Sequence, residues 1–293
     1  MSSSDPNRLD RFSPEALFVF SGISQYTGAV IAVSLFDDVS PGTVAWLRVI
    51  GATIVLMAFT WRRQRGWTRR EVYAAMLFGT ATALMNVTFY FAIERLDLGK
   101  SVVIEFIGPI AVAAAFTRTR RNTAALVLAV VGVVVLSGVE IDTEPLGLLF
   151  VFMASAMWAA YIIIGRHVAG FDRGSAGLAL GMLFGAFVLI PFGAPGIGAV
   201  MGQPAWLFAA LSVGVLSNVV GYGIDQHVLR RVPVRRFALL LALLPVTAMF
   251  VGFIALDQTP TWVDLLGAAL VITGVAIQER EVLAADELDV AAA

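Results

Sequence analysis

Cysteine is absent from the 293-residue chain, which excludes disulfides, thiol nucleophiles and thiolate metal sites. Two histidines, His167 and His227, are too few for an imidazole cluster, so neither a metal site nor a catalytic metal is expected. Charge is scarce: 14% of residues carry it, against about 25% in an ordinary soluble domain, and the net charge is -1. Such a balance offers no basic groove, so nucleic acid is not an expected partner. No G-x-x-x-x-G-K, G-x-G-x-x-G or H-E-x-x-H pattern occurs, so no cofactor is expected and any work must draw on a gradient, of protons first of all.

What is present is oil. Hydrophobic residues make up 59% of the chain and the mean hydropathy is +0.85, which reads as an all-α integral membrane protein with the lipid bilayer as its first partner. The start, Met1 to Pro14, lacks the basic stretch, apolar core and small-residue cleavage site of a secretory signal, so the first apolar run is expected to stay attached.

A helix needs about 20 apolar residues to cross about 30 Å of hydrocarbon. Cut on that length, the sequence predicts ten spans: 15–36, 42–61, 71–96, 99–117, 123–139, 146–166, 174–192, 205–229, 234–256 and 261–278. Several begin with helix-start chemistry. Ser40-Pro41 offers an N-cap followed by proline, and Thr68 stands three residues before Glu71 as a capping box. Trp61, Trp67, Trp206 and Trp262 fall near span ends, where an indole favours the headgroup region.

Basic residues near span ends are retained on the cytoplasmic side. Alternate connections divide them unevenly. One side holds Arg8, Arg11, the run Arg62 to Arg70, Arg118 to Arg121, Arg166, Arg173, Arg230 to Arg236 and Arg280, while the other holds Arg95 and Lys100 among acids such as Asp37, Asp38, Asp97, Glu140 and Asp142. Both termini are therefore expected in the cytoplasm. An offset of 136 residues places Pro109 on Pro245, Lys100 on Arg236, and the end of span three on the end of span eight. Five spans per half is odd, so the second half enters the membrane inverted, and two such halves can rock about a site between them. The expected organisation is a cytoplasmic tail 1–14, repeats 15–139 and 146–278, and an acidic cytoplasmic tail 279–293.

Inside these spans two charges stand out. Glu105 lies about 9 Å below the outer boundary and Arg48, entering from the same face on span two, about 10 Å, at the helical rise per residue. An ionised group at such depth is costly unless it meets an opposite charge, donors, water or its own proton, and such groups commonly mark transport pathways. Either Glu105 and Arg48 form a structural ion pair, with Arg48 alternatively snorkelling outward, or Glu105 receives an ammonium group or a proton while Arg48 attracts a carboxylate. Pro109 lacks an amide hydrogen and clashes with the carbonyl four residues back, that of Glu105, so the acid sits at a break, and Pro245 repeats the device.

Other mid-span polar or aromatic groups are Ser24 and Gln25, Asn86 and Tyr90, and Trp158 and Tyr161. Asn86 and Tyr90, four apart, share a helical face and either line a cavity or tie helices together. Asp225 reads as a second proton site or as the partner of Arg230 or Arg231, and Asp264 as a complement to a helix dipole. An intramembrane enzyme would need paired acids for magnesium or a buried serine with a histidine, and the adjacent acids Asp37-Asp38 fall in an outer loop, so no catalytic residue is assigned.

Ser34-Leu35-Phe36, Leu47-Arg48, MNVTFYFAI from Met85, EFIGPIAVA from Glu105, WAAYI from Trp158 and RRVPVRR from Arg230 together make the chain resemble the EamA branch of the drug/metabolite transporter superfamily, and within it the bacterial threonine and homoserine exporters. The likeness spans residues 16 to 278. It implies ten helices in two inverted five-helix repeats, a bacterial cytoplasmic membrane, proton antiport, and export of a small zwitterionic amino acid, with another small metabolite or drug as the alternative solute. Homodimerisation is left open. Where those exporters carry a basic residue before Ser-Leu-Phe, a second Glu-Pro and a Leu-Gly-Glu, this chain has Val33, Leu244-Pro245 and Leu256-Asp257-Gln258.

Overall fold

A computed structural model describes residues 8–96, 101, 104–136, 144–171, 173, 175–256 and 260–277. The anticipated tails 1–7 and 279–293, the connection 137–143 with Glu140 and Asp142, and Asp97, Lys100, Asp257 and Gln258 lie outside the described residues. Every regular element described is helical. In order these are α1 (Pro14–Val33), α2 (Pro41–Thr60), α3 (Arg69–Ile93), α4 (Ile107–Phe116), α5 (Arg120–Leu136), α6 (Pro145–Gly170), α7 (Ala176–Val188), α8 (Ile190–Met201), α9 (Pro204–Leu229), α10 (Val234–Leu240), α11 (Leu243–Leu256) and α12 (Trp262–Ile277). Among the described residues six helices are long and apolar enough to cross a membrane, seven when the bent pair α7–α8 counts as one span, and α4 and α12 are shorter apolar helices.

The starts follow the capping chemistry. Ser13 and Ser40 each accept the backbone N–H three residues on, at 3.2 and 3.4 Å. Thr68 and Glu71 close a full capping box, with Glu71 N–H donating to Thr68 Oγ1 at 3.2 Å and Thr68 N–H to Glu71 Oε2 at 2.8 Å. Three spans are broken, two of them where Pro109 and Pro245 predict it and one, 174–192, that the sequence reads as continuous. The stretch 99–117 turns at Phe106, so α4 begins only at Ile107. The stretch 174–192 bends by 53° between α7 and α8, where Pro191 and Pro195 leave no run of unhindered turns. The stretch 234–256 is interrupted at Leu241 and Ala242: Pro245 cannot bond the Leu241 carbonyl, which accepts from Leu244 N–H at 2.9 Å instead.

Large apolar side chains point outward along the helices, Phe59 being 85% exposed, Phe208 76% and Ile254 78%, an arrangement that lipid solvates and water would not. Trp61 and Trp262 are exposed at helix ends as the sequence predicts. Packing is pairwise. Helix α3 lies on α6 and α7, α9 on α1 and α2, α4 on α6 and α10, α11 on α1, α2 on α7, and α5 on α12 to one side. Between α2 and α9 the backbones touch: a Cβ at Gly51 would lie 2.3 Å from the Leu211 carbonyl oxygen, and one at Gly214 would lie 1.9 Å from that of Arg48. With no hydrophobic force between helices in lipid, such close approach is what dispersion attraction requires. Gly51→Ala should therefore separate the two helices and lower stability by about 1–3 kcal/mol, read as a fall in melting temperature in detergent.

Candidate functional site

The glycine contact between α2 and α9 fixes what stands one turn further along. Arg48 projects from α2 into α9 where the helix widens into a π turn, Val215–Gly221, with Asn218 at its centre. Such turns are rare and collect at functional sites. Helix α1 secures this one: Ser24 Oγ donates to the Leu216 carbonyl at 2.7 Å and Ser21 Oγ to that of Gly221 at 3.3 Å. Gln25 donates to Ser21 Oγ at 3.0 Å, and its backbone carbonyl accepts from Ser217 Oγ at 3.4 Å, so it belongs to this fastening.

Arg48 is 8% exposed, and among the described residues its guanidinium bonds only neutral acceptors. Nε donates to Asn218 Oδ1 at 2.6 Å, Nη1 to Tyr90 OH at 3.1 Å and Nη2 to Tyr222 OH at 3.3 Å. Both tyrosine rings also face the cation, 5.8 and 5.9 Å from Cζ to centroid. Tyr222 OH in turn donates to Asn86 Oδ1 at 3.3 Å, while Asn86 Nδ2 donates to the Thr82 carbonyl at 2.7 Å. Three of the five guanidinium N–H groups are thus occupied, leaving two for an incoming acceptor.

Glu105 is also 8% exposed, in the helical turn just before the break at Phe106. Among the described residues no hydrogen bond or ion pair within 4.0 Å holds it. The structural ion pair with Arg48, one of the two readings of the sequence, is not formed among the described residues: the guanidinium turns to Asn218 and the two tyrosines. Nor does Arg48 snorkel. Trp158 stands beside the break, its ring edge-on to Phe106 at 5.0 Å between centroids.

Asp225, 2% exposed, accepts from Tyr161 OH at 2.9 Å, and the Tyr161 ring lies 5.3 Å from that of Tyr222. An ion pair of Asp225 with Arg230 or Arg231 is not found among the described residues. The reason is direction: Asp225 meets α6, whereas Arg231 donates to the Phe12 carbonyl at 3.2 Å. Asp225 Oδ1 is buried without a partner. Asp264 caps its own helix, accepting from Thr261 N–H and Oγ1, both at 2.7 Å.

Asn86, Tyr90, Tyr161, Asp225 and Arg48 thus form one connected group through Tyr222, while Glu105 is buried at the break, Gln25 lies in the α1–α9 fastening and Trp158 lies against Phe106. Pro109 and Pro245 sit behind the two breaks. Asn218 and Tyr222 are the residues that sequence reasoning missed. The signal was available: the 136-residue offset sets Thr82, Asn86 and Tyr90 on Asn218, Tyr222 and Gln226, so each half carries a polar face spaced by four. Asn218→Ala should remove a charge-assisted hydrogen bond from a buried cation and cost about 1.5–3 kcal/mol, measured by thermal unfolding in detergent.

Comparison with known proteins places this geometry. The description of the EamA-like transporter family matches residues 145–278. The threonine/homoserine exporter RhtA of Salmonella typhimurium is 32% identical over 270 residues, which covers 90% of this chain and 90% of that protein. RhtA of Escherichia coli is 31% identical over 285 residues, 94% of this chain and 96% of its own. A chain known from a crystal structure shares the fold with a TM-score of 0.68 at 17% identity, covering 90% of this chain and 95% of that one.

Proposed function

Because the chain belongs to the EamA-like transporter family and is a multi-pass membrane transporter rather than an enzyme, we propose that it exports a small zwitterionic amino acid, threonine- or homoserine-like, from a bacterial cytoplasm in exchange for protons. One observation carries the reading: a buried guanidinium whose hydrogen bonds among the described residues all go to neutral groups, and a buried carboxylate with which it does not pair. Two unmatched opposite charges inside a bilayer suit a solute that carries both signs. The solute carboxylate takes the free N–H groups of Arg48, and Glu105 takes the ammonium group.

The same carboxylate serves coupling. When the solute leaves, a proton replaces the ammonium group on Glu105, so the carboxylate crosses with its charge matched in either direction and the two passengers exclude each other. Asp225, with one hydrogen bond and no cation, is a second place for a proton on the way to the arginine-rich end.

Alternating access rests on ten spans in two inverted repeats, 15–139 and 146–278. Helix register supports this: the offset of 136 carries Ile107, where α4 starts, onto Leu243, where α11 starts, and Ile93, where α3 ends, onto Leu229, where α9 ends. The packing supports it too, since exchanging halves turns α3 on α6 into α9 on α1, and α3 on α7 into α9 on α2. Export of another small metabolite is the second reading, favoured by Val33 and Leu244 where the amino acid exporters carry charges.

Efflux from proteoliposomes tests the assignment. Arg48→Gln should slow export about 10- to 100-fold, the equivalent of one charge-assisted hydrogen bond. Glu105→Gln should flatten the dependence of export on pH, and an amine lacking the carboxylate should fail to compete. Full export by both variants would overturn the assignment, and competition by uncharged solutes alone would favour the second reading.

A further inference from the structure

Among the described residues, charged contacts between the two halves gather at one end. Arg173, in the connection between α6 and α7, grips Glu71 at the start of α3 side-on, Nε to Oε1 at 2.9 Å and Nη2 to Oε2 at 3.0 Å. Its Nη1 donates to the Arg65 carbonyl at 2.8 Å and its plane lies 4.8 Å from the Trp67 ring. Arg236 of α10 pairs with Glu15 at the start of α1 at 2.7 Å. Arg231 reaches the Phe12 carbonyl nearby, and Gln64 donates to the Ala176 carbonyl at 3.4 Å.

All of these join a first-half residue to a second-half residue, and all lie at the arginine-rich end. At the other end the described residues join the halves through neutral groups, Trp46 Nε1 to the Ala186 carbonyl and Thr43 Oγ1 to that of Gly193, both at 2.9 Å. We infer that Glu71 with Arg173 and Glu15 with Arg236 form a two-part latch that shuts the arginine-rich mouth, and that its release sets how often the solute site faces that side.

The argument is geometric. If the halves rock, separating their arginine-rich ends must part both ion pairs, whereas separating the opposite ends parts none among the described residues. A bidentate arginine–carboxylate pair is the geometry in which an ion pair is worth most, and these side chains are only partly exposed: 20% and 15% for Arg173 and Glu71, 9% and 31% for Arg236 and Glu15. None of the four touches Arg48, Glu105 or their partners. They are positioning residues, acting on access and not on binding. The inference rests on the alternating-access reading but not on which solute is carried.

The absence of cysteine allows a direct test, because one introduced thiol reports alone. Gln226 is 6% exposed and lies on α9 between Tyr222 and Arg230. In a Gln226→Cys protein in vesicles, a membrane-impermeant maleimide supplied from the arginine-rich side should label slowly. Adding Arg173→Gln and Arg236→Gln should speed labelling roughly tenfold by shifting the population toward the open mouth. The exchanged pair Glu15→Arg with Arg236→Glu should label more slowly than Arg236→Gln alone. Raising salt from about 0.05 to about 0.5 M should speed labelling of the latch-intact protein, since part-exposed pairs are screened. That last arm needs no second substitution, so it stands even if the variants fail to fold. Labelling that ignores both the substitutions and the salt would overturn the latch. Labelling takes place without solute, so latch-dependent rates in a protein that exports no amino acid would sink the solute assignment and leave the latch standing.

Discussion

A guanidinium buried in a bilayer and given no acid of its own is the constraint from which the site is built. Arg48 is stabilised by Asn218, Tyr90 and Tyr222, three acceptors on two helices from different halves. Each acceptor is placed by something else. Asn218 needs the π turn of α9, the turn is fastened by the serines of α1, and the whole joint needs Gly51 and Gly214 to let two backbones meet. Neutral acceptors solvate the cation without cancelling it, so its field remains available to an anion.

The two breaks make the complementary point. Glu105 and Leu241 correspond under the 136-residue offset, and each stands four residues before a proline. The backbone device is duplicated and the charge is not. A break opens a helix among its neighbours, but only the first half places a carboxylate there, so the two halves share geometry while one of them carries the acid.

Much of the fold could be read from hydropathy, because span length in a bilayer is set by hydrocarbon thickness and not by fine packing. The caps at Ser40 and Thr68 and the breaks implied by Pro109 and Pro245 were legible for a local reason: each depends on a few neighbouring residues. Arg48, Asn86, Tyr90 and Asp225 were legible as polar groups in apolar surroundings. Their partners were not. Whether Asp225 meets Arg231 or Tyr161 depends on which way one helix face turns, and a π turn rotates that face by inserting a residue that no local signal announces. The same rotation brings Asn218 to Arg48, pre-empting the ion pair with Glu105 that matching depth had suggested.

The bare-backbone seam between α2 and α9 also governs how far things travel. Surfaces without side chains can roll on one another with little obstruction, so in the proposed rocking of the halves this seam would be the fulcrum, and Arg48 sits almost on it. A tilt of about 10° moves a point ten residues away, about 15 Å along a helix, by about 2.6 Å. In such a tilt the helix tips would swing wide while the guanidinium hardly shifted, the geometry by which a lever exposes a bound group to opposite sides without loosening its grip.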